Sequence, residues 1–580
     1  MRRLQGFPAA PGVVRAPWVR IERLSIPAGG RIEPTAAAAE IERLHRASEA
    51  AAAELETIAR RVQDDGHADE AAIFLAQAAI ARDPALATTA AERIKGAGED
   101  GVGAIQTAAG AFAEQLRSLE DELLAARAAD VIDVGHRIAR QLAGNNEPVV
   151  GLDRPAIVIA EDLPPSLTAT LPRERLLGIA LEGSSATAHA AILARAYGIP
   201  AVVGVRDLLA TLRDDGQAGS SREIAIDGSS GEVVVDPDSS TRAHFDAAAD
   251  AGRRRHETDL RDATLPAVSL DGVEISLLAN IGTPDESDAA LALGAQGVGL
   301  FRTEFLFLER TSPPSEAEQL AAYARVVQAF SPHPVTIRLL DVGGDKPIPY
   351  LPIGEEANPF LGVRALRLAY TDPDLFVTQL RACYRAATAG RVKVMAPMVA
   401  DARDVDLLLA LAERARGEAT SEGLEIGEVD LGVMLEIPSA ILVADSYSAR
   451  ISFASLGTND LLQYTLAVDR GNAALEAYRD SLHPGVLRLI RLAVEASKRA
   501  GTELSVCGEM AGDPSAALTL IGLGVRSLSM AASSLPAVRR AIRGSRMSVL
   551  ATEATAALDD GSAQAVRARF ETLLGDGARA

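Results

Sequence analysis

The chain has 580 residues, which at about 150 residues per domain predicts several domains rather than one. Hydrophobic residues make up 48% of it and charged residues 24%, so it can bury large cores and is not expected to be disordered. A net charge of −21 argues against nucleic acid as a partner, because phosphate backbones are bound by clustered Lys and Arg.

The cysteine count and the lack of long apolar runs bear on the compartment. Cys383 and Cys507 are too few for a disulfide framework and favour a reducing cytoplasm. The first residues have no long apolar core, so we expect no signal peptide. No apolar run reaches about 18 residues, so we expect no membrane span.

The first part of the chain predicts a helical region inserted in a small α/β domain. Residues 1–20 contain a short strand, and residues 21–145 show Ala-rich stretches with apolar residues at helical spacing. This helical region has 13 basic and 21 acidic residues, a net charge of −8. Residues 146–237 contain apolar runs that predict further strands, the last two flanking a Gly-Ser-Ser-Gly hairpin turn. The predicted strands there are 156–160, 177–181, 201–204, 223–227 and 232–235.

The rest of the chain predicts a linker and a barrel. Residues 238–263 are charged, with little apolar face, and predict a solvated connecting helix. Residues 264–580 alternate short strands with helices, which favours a parallel (β/α)8 barrel, with an open doubly wound sheet as the alternative. The candidate strands are 275–279, 297–300, 335–339, 393–395, 431–435, 451–456 and 504–507.

The first candidate site is a histidine at the start of an Ala-rich helix. Small residues follow a strand, Thr187 can cap the helix, and His189 then lies in its first turn. Unpaired N–H groups and the positive end of the helix dipole stabilise an anion there, for instance a phosphoryl group on the imidazole. On local grounds alone, a surface or capping role is the more common outcome for such a histidine.

A second set of candidates lies at strand ends within residues 264–580. It combines cations, an amide and two carboxylates: Arg302, Arg338, Lys346, Arg364, Glu436, Asn459, Asp460 and Arg470. Arginine offers forked donors to phosphate and carboxylate oxygens, and two carboxylates with ligand oxygens suit Mg²⁺. Each arginine taken alone fits a surface ion pair, but the whole set at strand ends indicates phosphoryl transfer.

The two cysteines have different sequence contexts. Cys507 stands at a strand end between small residues, which fits either a buried apolar filler or an acid or nucleophile in a cleft. Cys383 lies on a predicted helix and is interpreted as structural.

In these residues and their order, the sequence resembles Enzyme I of the bacterial phosphoenolpyruvate:sugar phosphotransferase system, the phosphoenolpyruvate–protein phosphotransferase. The resemblance covers nearly the whole chain and is strongest over the predicted barrel. It implies an α/β phosphohistidine domain (1–20 and 146–237), an inserted helical domain that binds the carrier protein HPr (21–145) and a linker helix (238–263). It also implies a phosphoenolpyruvate-binding TIM barrel that forms a homodimer (264–580).

The resemblance further implies a role for each candidate residue. His189 accepts the phosphoryl group through Nε2 and passes it to a histidine of HPr, and Cys507 protonates the enolate to give pyruvate. Glu436 and Asp460 hold Mg²⁺. The implied substrate contacts are Arg302, Arg338, Arg364, Lys346, Asn459, Asp460 and Arg470.

Two segments depart from the family pattern. Residues 183–188 read Gly-Ser-Ser-Ala-Thr-Ala before His189, where relatives have more glycine and a serine directly before the histidine. Lost freedom for positive φ is expected to slow movement of this loop. Residues 71–77 read Ala-Ala-Ile-Phe-Leu-Ala-Gln where many relatives have Ile-Phe-Glu-Ala-His, so we expect an altered partner surface.

Two other functions fit part of the pattern. A pyruvate phosphate dikinase or phosphoenolpyruvate synthase shares the histidine and barrel chemistry. Residues 21–145 are, however, too short and too helical for its nucleotide-binding domain, and they lack a Gly-rich phosphate cradle followed by Lys and Ser/Thr. A regulatory protein that senses phosphoenolpyruvate without transferring phosphate would need neither His189 nor Cys507.

Overall fold

The structure is a computed structural model, and its described part divides into two compact units, Met1–Arg255 and His256–Ala580. The described residues are 1–21, 29–64, 68–118, 122–144, 152–163, 171–183, 189–213, 223–308, 310–343, 348, 350–351, 353–354, 356–469, 475 and 478–577.

A helical bundle fills the middle of the first unit, as the sequence predicts. Its helices within the described residues are α1 (Ala37–Asp64), α2 (Ala68–Ala81), α3 (Pro84–Ala97), α4 (Gly101–Ser118) and α5 (Glu122–Leu142). Asp83 caps α3 by accepting the N–H of Ala85 at 2.8 Å, and Gly98 ends the helix in the left-handed conformation. The core uses small side chains such as Ala51 and Ala108, which let the helices pack closely.

A mixed sheet makes up the rest of the first unit. Its order is β1-β8-β7-β3-β4-β5-β6-β2, in which β3 to β6 run parallel and the outer pairs are antiparallel. The strands are β1 (Arg2–Gln5), β2 (Phe7–Ala10), β3 (Val13–Arg20), β4 (Ala156–Ala160), β5 (Leu176–Leu181), β6 (Ala201–Val203), β7 (Glu223–Asp227) and β8 (Glu232–Val235). Helices α6 (His189–Ala196) and α7 (Leu208–Arg213) connect strands of this sheet.

Residues 1–20 hold three strands where the sequence predicts one. The first, β1, reads Arg-Arg-Leu-Gln and is largely exposed at a sheet edge, so it has no apolar pattern to reveal it. The predicted connecting helix is present as α8 (Ser239–Arg261), and the division between the two units falls inside it. The predicted domain boundaries stay a proposal.

The second unit is a closed barrel of eight parallel strands, so the open-sheet alternative is wrong. The strands are β9 (Ser276–Ile281), β10 (Val298–Phe301), β11 (Val335–Arg338), β12 (Val392–Ala396), β13 (Val429–Leu435), β14 (Phe453–Leu456), β15 (Glu503–Val506) and β16 (Ser527–Ala531). The last strand, which the sequence analysis does not identify, closes the barrel by pairing with β9. Its sequence, Ser-Leu-Ser-Met-Ala, alternates small polar and apolar residues and has none of the β-branched residues found in most of the other strands.

Helices surround the barrel, and its interior is packed. Within the described residues they are α9 (Ser287–Ala292), α10 (Glu316–Phe330), α11 (Pro373–Ala386), α12 (Ala402–Ser421), α13 (Pro438–Leu442), α14 (Thr458–Leu466), α15 (Pro484–Ala500), α16 (Pro514–Leu523), α17 (Leu535–Arg543), α18 (Met547–Ala557) and α19 (Ala563–Gly577). An apolar layer of Leu300, Met395, Met434, Phe453 and Cys507 fills the interior. In the described part of the chain, no helix combines the length and apolar character that crossing a bilayer requires.

Candidate active site

Most of the predicted site residues of the second unit lie where barrel strands end. Because all eight strands are parallel, their carboxyl ends open at one mouth, which is the functional face of this fold. Arg302 follows β10, Arg338 ends β11, Glu436 follows β13, Asn459 and Asp460 begin α14 just after β14, and Cys507 follows β15.

A chain of buried charges of alternating sign crosses this mouth. Arg338 pairs with Glu304 on one side and, through Nη1, with Oδ2 of Asp341 at 3.0 Å on the other. Arg364 holds both oxygens of Asp341, at 2.9 and 3.1 Å, and its Nη2 lies 3.7 Å from Oδ2 of Asp460. All five side chains are buried, so the pairs gain strength from a low local dielectric and fix one another's orientation.

The carboxylates of Glu436 and Asp460 leave this buried set with excess negative charge. With Glu436 included, four carboxylates face two guanidinium groups. Burial, together with the charges of Asp460 and Asp341, raises the pKa of Glu436 above its usual range. A cation bound beside the two carboxylates would offset this cost of keeping Glu436 charged.

The surroundings of the two acids fit Mg²⁺. Glu436 Oε1 accepts the N–H of Met398 at 2.6 Å, and a Cβ at Gly457 would come within 2.9 Å of Oε2, so the glycine leaves room beside that oxygen. Asp460 Oδ1 is buried without a hydrogen-bond partner among the described residues. The described residues hold no group of three or more His, Cys, Asp or Glu side chains suited to a metal ion. Mg²⁺ is usually held by one or two carboxylates together with water and phosphate oxygens, a role that Glu436 and Asp460 fit.

Cys507 lies at the mouth with its thiol kept protonated. Its side chain is 3% exposed, and burial raises its pKa to about 11, with the charge of Glu436 acting in the same direction. Its carbonyl oxygen accepts from Nδ2 of Asn280 at 2.9 Å, and Oδ1 of Asn280 accepts from Ser529 at 2.6 Å. The thiol itself donates to the carbonyl oxygen of Leu456 at 3.7 Å. A thiol that stays protonated can act as an acid but not, at neutral pH, as a thiolate nucleophile.

The amide of Asn459 is held at the same face. Its Oδ1 accepts the N–H of Glu509 at 3.0 Å, which leaves its NH₂ group as the donor available to a ligand oxygen. An NH₂ donor at this position suits the predicted contact of Asn459 with a phosphate oxygen.

Some predicted residues lie outside the description. Within the described residues, α6 runs from His189 to Ala196, but the His189 side chain and residues 184–188 lie outside them. Lys346 and Arg470 lie outside them as well. The proposed roles of these three side chains stay predictions.

The altered segment of α2 divides into an exposed and a buried part. Leu75 is 37% exposed, whereas Gln77 is fully buried and donates to Oδ1 of Asp130 at 2.8 Å. Gln77 lies in the bundle core, whereas Leu75 is exposed, so the expectation that this segment alters the partner surface stays a prediction that concerns Leu75 and not Gln77. Periodicity alone could not assign a lone amide to one face of this weakly amphipathic helix.

Two acids of the charge chain were not identified as site residues from sequence. Glu304 lies two residues after Arg302, and Asp341 lies three residues after Arg338. In the sequence, each of these acids stands close to a candidate arginine at a strand end, and this closeness is the feature that could have identified them as site residues. The guanidinium group of Arg364 is bound to the carboxylate of Asp341, and its predicted contact with the substrate stays a prediction.

Replacing Asp341 with Asn should lower the free energy of unfolding by about 3 kcal/mol, because it leaves two buried guanidinium groups without their shared counter-charge. The measurement is chemical denaturation followed by circular dichroism. Asp374→Asn is the matched control, since that carboxylate is 77% exposed and pairs with Arg414 on the surface, where such a pair is worth about 0–1 kcal/mol. Equal losses in the two variants would contradict the bridging role of Asp341.

Three family profiles match consecutive parts of the chain. The N-terminal domain of PEP-utilising enzymes matches residues 5–127, their mobile domain matches 152–231, and their PEP-binding domain matches 256–547. The last match contains the whole barrel and every strand-end candidate described above.

Curated relatives align along almost the full length. The phosphoenolpyruvate-protein phosphotransferase of Listeria innocua is 37% identical over 97% of this chain and 98% of its own. The multiphosphoryl transfer protein of Rhodobacter capsulatus is 38% identical over 94% of this chain and 64% of its own. The NMR solution structure of an Enzyme I protein aligns with 43% of this chain and 99% of its own, at 31% identity and a TM-score of 0.36. Because the Listeria innocua relative is 37% identical to this chain over nearly the full length of both, the chain belongs to the phosphoenolpyruvate-protein phosphotransferase family.

Proposed function

We propose that this chain takes the phosphoryl group of phosphoenolpyruvate onto His189 and passes it to a histidine of the carrier protein HPr, as the first step of sugar uptake by the phosphotransferase system. The observation that carries the proposal is the buried array of arginines and carboxylates at the barrel mouth, beside a protonated thiol. Arginines bind the anionic substrate, and the thiol supplies the proton that the product requires.

The chemistry divides among residues of the two units. Nε2 of His189 forms a bond to phosphorus while the bond from phosphorus to the enol oxygen breaks, and the electron pair of that bond stays on the departing enolate. Arg302 and Arg338 bind the phosphate and carboxylate oxygens of the substrate, so that Nε2 of His189, the phosphorus and the enol oxygen lie in line. Arg364 supports Arg338 through the carboxylate of Asp341, which pairs with both. Cys507 then donates its proton to the methylene carbon of the enolate, which yields pyruvate.

Glu436 and Asp460 are the residues that would hold Mg²⁺, together with oxygens of the substrate. Mg²⁺ bound there supplies positive charge beside the phosphoryl oxygens. Asn459 donates to a phosphate oxygen, and Lys346 and Arg470 complete the set of cationic substrate contacts.

The acidic helical region is the proposed docking surface for HPr. Residues 21–145 have a net charge of −8, which would attract a basic partner and speed its approach. We also place the domain boundaries as in the family, with a homodimer formed through residues 264–580. The two cysteines are free, which supports a cytoplasmic location.

The direct test incubates the purified chain with labelled phosphoenolpyruvate, Mg²⁺ and a candidate HPr, without ATP. Label on the chain and then on HPr is expected. A requirement for ATP would favour the dikinase-like alternative, and binding of phosphoenolpyruvate without labelling would favour the sensor.

Replacing Cys507 with Ala should lower the rate of pyruvate formation by roughly 10²–10⁴-fold, the usual contribution of a positioned general acid. The measurement is the initial rate of pyruvate formation from phosphoenolpyruvate, followed in a coupled assay. Cys383→Ala is the matched control, because that thiol is also fully buried but lies on α11. An undiminished rate in the Cys507 variant would remove the thiol from the mechanism.

A further inference from the structure

A buried amide joins the two strand ends that carry Arg302 and Arg338. Gln379, on α11, is 1% exposed. Its Nε2 donates to Oγ1 of Thr303 at 3.1 Å, and its Oε1 accepts the N–H of Leu340 at 2.9 Å. Thr303 directly follows Arg302, and Leu340 lies two residues after Arg338, so one side chain reaches both strand ends.

Thr303 also links the two strand ends directly. It is fully buried, and its hydroxyl donates to the carbonyl oxygen of Arg338 at 3.0 Å. The second N–H of the Gln379 amide donates to the hydroxyl of Tyr323 at 3.1 Å, and that hydroxyl donates onward to Gln319 at 3.2 Å. Each N–H or O–H group in this network therefore donates to an acceptor, and no two donors face each other. This fixes the rotamer of each side chain in the network.

The barrel ladder ends one residue before each of the two arginines. Pairing between β10 and β11 is irregular after Val298, and its last pair is Phe301 with Ile337. Arg338 pairs across its other edge with Met395. Beyond the ladder, the two strand ends are joined by the ion pair of Arg338 with Glu304 and by the hydrogen bonds through Gln379 and Thr303.

We propose that Gln379 is a positioning residue that sets the separation of Arg302 and Arg338. This rests on the proposed function, in which the two arginines bind phosphoenolpyruvate together. A buried amide costs desolvation that an apolar side chain of the same size would not, and its strand-end hydrogen bonds go to the segments that carry these arginines. Two forked donors bind one small anion well only when their spacing is fixed, because each hydrogen bond weakens steeply as its geometry is lost.

The test compares Gln379→Met with Gln319→Met in the full chain. Both amides are buried members of the same network, but only Gln379 contacts the strand ends. Initial rates of labelling from phosphoenolpyruvate are measured over a range of substrate concentrations. We expect the KM to rise about tenfold for Gln379→Met with kcat within about threefold, and the KM of Gln319→Met to stay within about twofold of the unaltered chain.

Thr303→Val removes the same bridge from its other end and serves if the first variant does not fold. Its KM should rise to a similar extent, and the double variant should show little further rise, because both changes break one connection. An unchanged KM in Gln379→Met, an equal rise in Gln319→Met, or additive effects would overturn the inference. Loss of labelling in the unaltered chain would instead refute the proposed function.

Discussion

Replacing His189 with Ala is expected to abolish incorporation of labelled phosphate from phosphoenolpyruvate. His189 is the first described residue of helix α6, and backbone N–H groups with the helix dipole near a helix start favour a negatively charged imidazole substituent. Alanine keeps the helix but removes the only nitrogen nucleophile proposed for the transfer. The measurement is label retained on the denatured chain, which should be lost on mild acid treatment because phosphohistidine is acid-labile.

The control for this experiment is His333→Ala. His333 is exposed and lies just before β11, at the end of the barrel opposite the mouth. That variant should be labelled as the unaltered chain is. Label that persists on another residue of the His189 variant would contradict the assignment of the phosphoryl acceptor.

Replacing Glu436 with Gln is expected to lower the labelling rate by at least about a hundredfold and to remove its dependence on Mg²⁺. Glutamine retains the acceptor for the N–H of Met398, so the loss isolates the negative charge of the carboxylate. Charge neutralisation at a phosphoryl group by a bound metal is worth several kcal/mol, and about 1.4 kcal/mol corresponds to a tenfold change in rate. Labelling rates at increasing Mg²⁺, with calorimetric titration of Mg²⁺ itself, measure both effects.

Glu428→Gln provides the comparison for the metal experiment. Glu428 is exposed and lies just before β13, the strand whose other end leads into Glu436. It should keep both the rate and the Mg²⁺ dependence of the unaltered chain. A Glu436 variant that still binds Mg²⁺ with unchanged affinity would exclude this carboxylate as a ligand.

Local patterns were sufficient for most of the fold. Helical spacing of apolar residues identified the bundle, and buried apolar runs identified seven of the eight barrel strands. Elements without such a pattern were missed. The strand β1 is an exposed edge, and β16 alternates serine with apolar residues, so its burial comes from closing the barrel and leaves little trace in its own sequence.

The sequence by itself determined the chemical inventory of the site, because strand ends of a parallel barrel meet at one mouth whatever the details of packing. It placed Arg302, Arg338, Glu436, Asp460 and Cys507 at strand ends before any contact was known. What those side chains do to one another was decided only by the tertiary structure.

Contacts between distant segments explain that difference. Asp341 bridges Arg338 and Arg364, and Gln379 reaches back from α11 to two strand ends. Gln77, in the altered segment 71–77, lies in the bundle core, where it donates to Asp130. Apart from the pair of Arg338 with Asp341, these hydrogen bonds and ion pairs join residues 23 to 76 positions apart over a few ångströms. Their partners therefore follow from the folded path of the chain and not from local composition.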